Sequence, residues 1–113
     1  MNTYLIKKKE DFANVFRNGS FLNCSSFTIN YAKKSKLIKT NLPRFGIVAS
    51  KKVGNAVQRN FAKRRIKALK NIFLDCGKSE LDYILVAKKN LLNESFKILS
   101  FQLEHTLNKI KAS

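Results

Sequence analysis

The sequence predicts an α+β fold, a small two-layer sandwich in the order αβββαβα, and three observations carry that prediction. Alternation at Phe27, Ile29 and Tyr31 marks a half-buried strand. An almost continuous apolar run, Leu81 to Ala87, marks a strand covered on both faces and so central in its sheet. Apolar residues spaced by three and four mark two amphipathic helices, one before that strand and one after it. Strands and helices mixed in this order close into one layered domain. A chain of 113 residues has room for a single domain, 1–113, with a core burying roughly 65% of the unfolded surface.

The elements follow in order. Glu10 to Asn18 reads as a short helix with Phe12, Val15 and Phe16 at helical spacing and Gly19 as its stop. Ser26 to Ala32 is the alternating strand. Lys33 to Asn41 reads as a solvated hairpin connection closed by Leu42 and Pro43, and Arg44 to Ser50 as a second clear strand. A third, short strand either precedes Arg44 or forms from Phe21 onward. A long helix spans about Asn55 to Leu74 and ends near Gly77. The last helix opens at Asn93 as N-cap, with Glu94 in its first turn, and carries the stripe Phe96, Leu99, Leu103, Leu107 and Ile110. One proline and four glycines leave few breakers and no linker.

Charge is the extreme property. Lysine and arginine total 23 against 7 acidic residues, a net charge of +16. Self-repulsion of that size opposes compaction, and its usual reason is a polyanionic partner, nucleic acid first and an anionic membrane surface second. Membrane anchoring fits poorly, because the longest apolar run, Tyr83 to Ala87, is far too short to span a bilayer. No apolar stretch follows the lysines of Met1 to Glu10, so no secretory signal is expected and the protein is placed in the cytoplasm. Cys24 and Cys76 form neither a disulfide framework nor a metal-type spacing. They read as ordinary small side chains of a reducing compartment.

The informative segment is Ser50 to Phe73. On a helical wheel Ala62, Ile66, Leu69 and Phe73 fall within an arc of roughly 60°, the side that packs on the sheet. Arg59, Lys63, Lys67 and Lys70 share an adjacent arc of roughly 80°, with Asn60 and Arg64 just beyond it. Like charges at successive turns repel by a few tenths of a kcal/mol per pair, and no acidic residue between Asn55 and Leu74 relieves them. Solvated helix surfaces normally mix signs. A helix with one dry side and one unneutralised basic side fits a rod laid against phosphates.

Lys51-Lys52-Val53-Gly54-Asn55-Ala56-Val57, then Arg59-Asn60 and Lys63-Arg64-Arg65, resembles the signature of the bacterial ribonuclease P protein family. That signature is an Arg-Asn-Arg triplet in a basic helix after a Lys-Lys-x-Gly-x-Ala-Val turn. Supporting likeness lies in Asp11-Phe12, Val15-Phe16 and Gly19, and in the run from Asp82 to Lys89. Phe61 stands where the family has its second arginine, so that cation's contact is not carried over. On the wheel it lies roughly 80° from the packed arc, away from the cations, which favours a cover over apolar surface.

The resemblance implies a subunit of an endoribonuclease that removes the 5′ leader of precursor tRNA by phosphodiester hydrolysis. It places the catalytic centre, with its magnesium ions (Mg2+), in an RNA subunit; no catalytic residue or cofactor is expected on the protein. The implied partners are that RNA and precursor tRNA, with neither DNA nor a membrane. Arg59, Asn60, Lys63, Arg64 and Lys67 are the expected contacts to the catalytic RNA. The family's leader cleft lies between the sheet and the first helix, where single-stranded RNA would meet aromatic platforms and cationic rails. Phe12, Phe16 and Tyr31 are the candidate platforms, Lys51, Lys52 and Lys89 the rails. The resemblance also implies a left-handed β-α-β crossover around the long helix, against the general preference.

Two other readings compete. An autonomous nuclease needs clustered carboxylates or a histidine acid–base pair, but the carboxylates are scattered and the one histidine, His105, sits among surface positions of the last helix. A ribosomal-type structural RNA-binding protein would share the size and charge without needing the Lys51–Val57 turn.

Overall fold

A computed structural model describes residues 4–36 and 38–112. The first three residues and the last of the domain expected over 1–113, and Leu37 of the Lys33–Asn41 connection, lie outside the described residues. In order come α1 (Lys9–Asn18), β1 (Ser20–Asn23), β2 (Phe27–Lys33), β3 (Arg44–Val48), α2 (Ala56–Lys67), α3 (Lys70–Cys76), β4 (Leu81–Ala87), a single 3₁₀ turn (Lys89–Leu92) and α4 (Phe96–Ala112).

The strands form one sheet in the order β1-β2-β4-β3. β2 runs antiparallel to β1 and β4, and β3 runs parallel to β4. The most apolar strand is indeed central. The short strand forms at Phe21, and the link from β3 through α2 and α3 to β4 is a parallel crossover. Because β4 inserts between β2 and β3, the connection after Lys33 is no hairpin; it must step across a strand. Lys34 pins it, its Nζ donating to the carbonyls of Leu42 and Ser79.

Alternation sends Phe27, Ile29, Phe45, Tyr83 and Leu85 to one face, where Ala62, Ile66, Leu69 and Phe73 close over them together with Leu99, Leu103, Leu107 and Ile110. The Phe73 ring stacks on Phe45 with centroids 4.2 Å apart. The packed arc read from the wheel is therefore the buried one, but the long helix is two. Leu69 N–H donates to the Ile66 carbonyl at 2.9 Å, a 3₁₀-type bond, and Leu69 leaves the helical region at φ −93°, ψ 8°. This turn separates a segment packed on β3 and the 3₁₀ turn from one packed on α4 and β3. The last helix begins at Phe96, after the expected Asn93. Residues 89–92 are spent in the 3₁₀ turn, anchored by the fully buried Leu91. Ser95 then takes the capping role, its Oγ accepting the Ile98 N–H at 3.2 Å.

Among the described residues the other face carries a single helix, α1, with Ile6 beside it, so the two-layer sandwich gains a partial third layer. Val15 packs there against Ala32 and Ile84. Beside it Arg44 donates twice to Asp82, at 2.9 and 2.7 Å, and lies 3.5 Å from Asp11 of α1. Asp82 is 1% exposed and Arg44 8%. Removing one member of such a buried pair strands the other and costs about 3–5 kcal/mol.

Candidate nucleic-acid interface

The register of the sheet lays out the α1 face row by row. Arg44, Asp82 and Ala32 form one row, Gly46, Ile84, Asn30 and Phe21 the next, and Val48, Val86, Thr28 and Asn23 the third. Helix α1 covers the first row and part of the second. A Cβ on Gly46 would meet the Phe12 ring at 2.8 Å, so the absent side chain is what lets that ring lie on the sheet. Asn14 donates to the Lys33 carbonyl at 3.3 Å, which turns its flank of α1 toward the first row. Phe12 and Phe16 occupy the opposite flank, each about 160° from Asn14 on the wheel, and therefore lie toward the third row. Phe12 is half-buried and Phe16 is 50% exposed.

The third row is the open one. Val48, Val86 and Thr28 are partly exposed and Asn23 is exposed. Since β3 and β4 are parallel neighbours, the segments leaving them emerge at the same end. After β3 the chain turns through Ser50–Val53, with the Val53 N–H bonded to the Ser50 carbonyl at 3.0 Å. Val53 is fully buried, which leaves Lys51 and Lys52 exposed on the turn. After β4 comes the exposed Lys89, while Lys88 is consumed by the Cys24 carbonyl at 2.7 Å. Lys51, Lys52 and Lys89 thus follow β3 and β4 at the end of the sheet nearest the third row.

Tyr31 does not join them. It pairs across strands with Tyr83 and packs on the main core, on the far side of the sheet. The reason is the two-residue period: Tyr31 shares the face of the fully buried Phe27 and Ile29, so a site on the α1 face cannot use it. The exposed aromatic of β1 on the α1 face is Phe21, 60% exposed and paired with Asn30. The polar alternates Thr28 and Asn30 were the available signal for this surface; Phe21 carried none, because its strand had no neighbour to set its register.

Helix α2 begins at a built corner. Asn55 Oδ1 accepts the Gln58 N–H at 2.9 Å and Gln58 Oε1 accepts the Asn55 N–H at 2.8 Å, a reciprocal capping box. Gly54 before it has φ +154°, and a Cβ there would strike the Gln58 side chain. Beyond the cap, Asn60, Lys63, Arg64 and Lys67 are exposed, while Arg59 is partly buried and donates to the Gly54 carbonyl at 3.2 Å. Among the described residues none of these cations is in an ion pair; the ion pairs found are those of Arg44. Arg65 reaches back to the Leu91 carbonyl at 2.6 Å. Since α2 packs on the main core face and α1 on the opposite one, the basic helix and the aromatic strip lie on different sides of the sheet.

Among the described residues no three histidine, cysteine or acidic side chains gather as a metal-binding group, and no helix is long and apolar enough to cross a membrane. Fold and surface together define a small, strongly basic α+β protein with an unneutralised cationic helix and an open aromatic strip. The family model for ribonuclease P matches residues 1–111, and the chain belongs to that family. It is 37% identical over 109 residues to the ribonuclease P protein component of Nitratiruptor sp., covering 94% of this chain and 91% of that one. It is 32% identical over 109 residues to that of Carboxydothermus hydrogenoformans, with 96% and 91% covered. A Staphylococcus aureus RNase P protein mutant with defective mRNA degradation activity superposes with a TM-score of 0.82 at 28% identity, over 97% of this chain and 90% of that one. The Thermotoga maritima RNase P protein shares the fold, with a TM-score of 0.77 at 22% identity over 92% and 94%. Family membership decides against the ribosomal-type alternative.

Proposed function

We propose that this chain is the protein subunit of ribonuclease P, binding the catalytic RNA through the exposed side of α2 and the 5′ leader of precursor tRNA across the open strip beside α1. The observation that carries the proposal is the pairing of an unneutralised cationic helix with an open aromatic strip that has lysines at one end, in a chain of this family. On α2, Asn60, Lys63, Arg64 and Lys67 meet phosphates, with Arg59 orienting from the capped corner. On the other side of the sheet Phe12 and Phe16 offer faces to unstacked bases. Thr28 and Asn30 offer polar edges, and Lys51, Lys52 and Lys89 follow the backbone. Both surfaces suit single strands and phosphates, the groups a protein reads where RNA is not a regular duplex. Phosphodiester hydrolysis and its magnesium ions belong to the RNA subunit; the protein's part is to hold substrate and RNA together.

Reconstitution tests this. Added to protein-free ribonuclease P RNA, the chain should restore leader removal from precursor tRNA at moderate salt. RNA affinity should fall by about 0.7–0.9 log units per log unit of salt for each phosphate neutralised. Lys63→Ala with Arg64→Ala should weaken assembly and lower that slope by about two contacts while the fold persists, since both side chains are exposed. A flat salt dependence, or a double variant that assembles as the parent does, overturns the assignment.

A further inference from the structure

Phe61 takes the place of a cation in the family signature and lies off the packed arc of α2. Its ring is 39% exposed, while its neighbour Ala62 and Ile66 are fully buried against the core. One turn earlier Val57 is 76% exposed, roughly 40° away on the wheel, so the two form a short apolar strip along the outer surface of α2. Two guanidinium groups border it, with Arg64 Cζ 5.9 Å and Arg65 Cζ 5.5 Å from the ring centroid. They are not equivalent. Arg65 is held by its 2.6 Å bond to the Leu91 carbonyl and forms a fixed wall between the ring and the 3₁₀ turn. Arg64 is exposed, has no such anchor, and is free to exchange the ring for a phosphate.

An apolar strip bordered by two guanidinium groups, on a helix with no carboxylate of its own, fits a partner that is planar and apolar on its face and anionic at its edge. A nucleobase joined to its phosphate is that partner. A protein segment would have to supply acidic and aromatic groups side by side to match it. We propose that Phe61 is a stacking platform for one unpaired nucleobase of the RNA that α2 contacts, with Arg64 moving onto the adjoining phosphate and Arg65 steadying the ring. The inference rests on α2 lying against RNA. It adds that the RNA straddles the helix, because Phe61 and Lys63 sit on opposite flanks with Asn60 and Arg64 between them.

The chain contains no tryptophan, so Phe61→Trp introduces a single indole reporter. Titrated with in-vitro-transcribed ribonuclease P RNA from the same organism, the indole emission of this variant should be strongly quenched at saturation, as for an indole stacked on a base. Phe61→Ala should bind that RNA roughly 5- to 150-fold more weakly, the usual loss for one stacked base, with its salt slope unchanged. Its affinity for heparin, a polyanion without bases, should equal the parent's. Indole emission that stays unquenched in a saturated complex overturns the proposal. So does Phe61→Ala binding the RNA as tightly as the parent, and in both cases α2 can still be the RNA contact. If instead the Lys63→Ala, Arg64→Ala variant keeps full RNA affinity, the contact by α2 fails and Phe61 falls with it.

Discussion

Replacing Phe16 by alanine separates a leader platform from a core side chain. Phe16 is 50% exposed, on the flank of α1 that lies toward the open row of the sheet. Full burial of a phenylalanine contributes about 1.5–3 kcal/mol, so a half-exposed ring contributes about 1 kcal/mol to folding. For a domain of this size that is a fall in Tm of about 4–6 °C. As a stacking platform the same ring contributes about 1–3 kcal/mol per base. The expected result is a holoenzyme whose affinity for leader-bearing precursor tRNA drops roughly 5- to 150-fold, with affinity for mature tRNA and assembly with the RNA subunit unchanged. Parallel binding titrations with the two tRNAs and a thermal melt of the free protein supply all three readings. Equal losses for precursor and mature tRNA, or a stability loss of about 3–5 kcal/mol as for a fully buried ring, would refute the assignment.

Two further outcomes follow from the buried groups. Asp82→Ala leaves the buried Arg44 guanidinium with only its 3.5 Å contact to Asp11 and should lower stability toward the lower end of about 3–5 kcal/mol in urea unfolding; a loss under about 1 kcal/mol would mean that water reaches the pair. Burial pushes the Tyr83 hydroxyl above its usual value, partly opposed by the hydrogen bond it accepts from the Lys78 N–H. An unfolded tyrosine releases its proton near pH 10 while folded Tyr83 keeps it, so this group's titration favours the unfolded chain as pH rises: stability is unaffected below about pH 10 and falls from there through the raised folded value. Absorbance at about 295 nm should show the Tyr83 phenol titrating above its usual range and together with the loss of circular dichroism. Tyr83→Phe leaving the alkaline limb of stability unchanged would contradict it.

Local periodicity carried much of the fold. The buried arc Ala62, Ile66, Leu69 and Phe73 was legible because a packed helix repeats its apolar side every three to four residues. The central position of β4 was legible because a strand covered on both faces needs apolar residues at nearly every position. The turn at Lys51–Val57 was legible only as a family motif; the structure supplies its physics, a positive φ at Gly54 and a reciprocal cap between Asn55 and Gln58. Less legible were events that depend on distant partners. Ser95 takes the cap from Asn93 only because Leu91, buried beside Arg65, draws 89–92 into a separate turn. Likewise the break at Leu69 arises because one half of the helical segment packs against the 3₁₀ turn and the other against α4.

The sequence by itself determined the element types, the basic side of α2 and the aromatic pair on α1, since each is a matter of residue spacing along one element. Only the tertiary structure decided which side of the sheet each aromatic serves. Strand alternation groups Phe27, Ile29 and Tyr31 but does not say which group α1 will cover; the docking of α1 through Asp11 and Val15 settles that. Helices α2, α3 and α4 bury Tyr31's face, while α1 covers only part of the one that carries Phe21, Thr28 and Asn30. Arg44 and Asp82 likewise became a buried pair only when β3 and β4 came into register, because an ion pair between residues 38 apart in sequence is written in no local pattern.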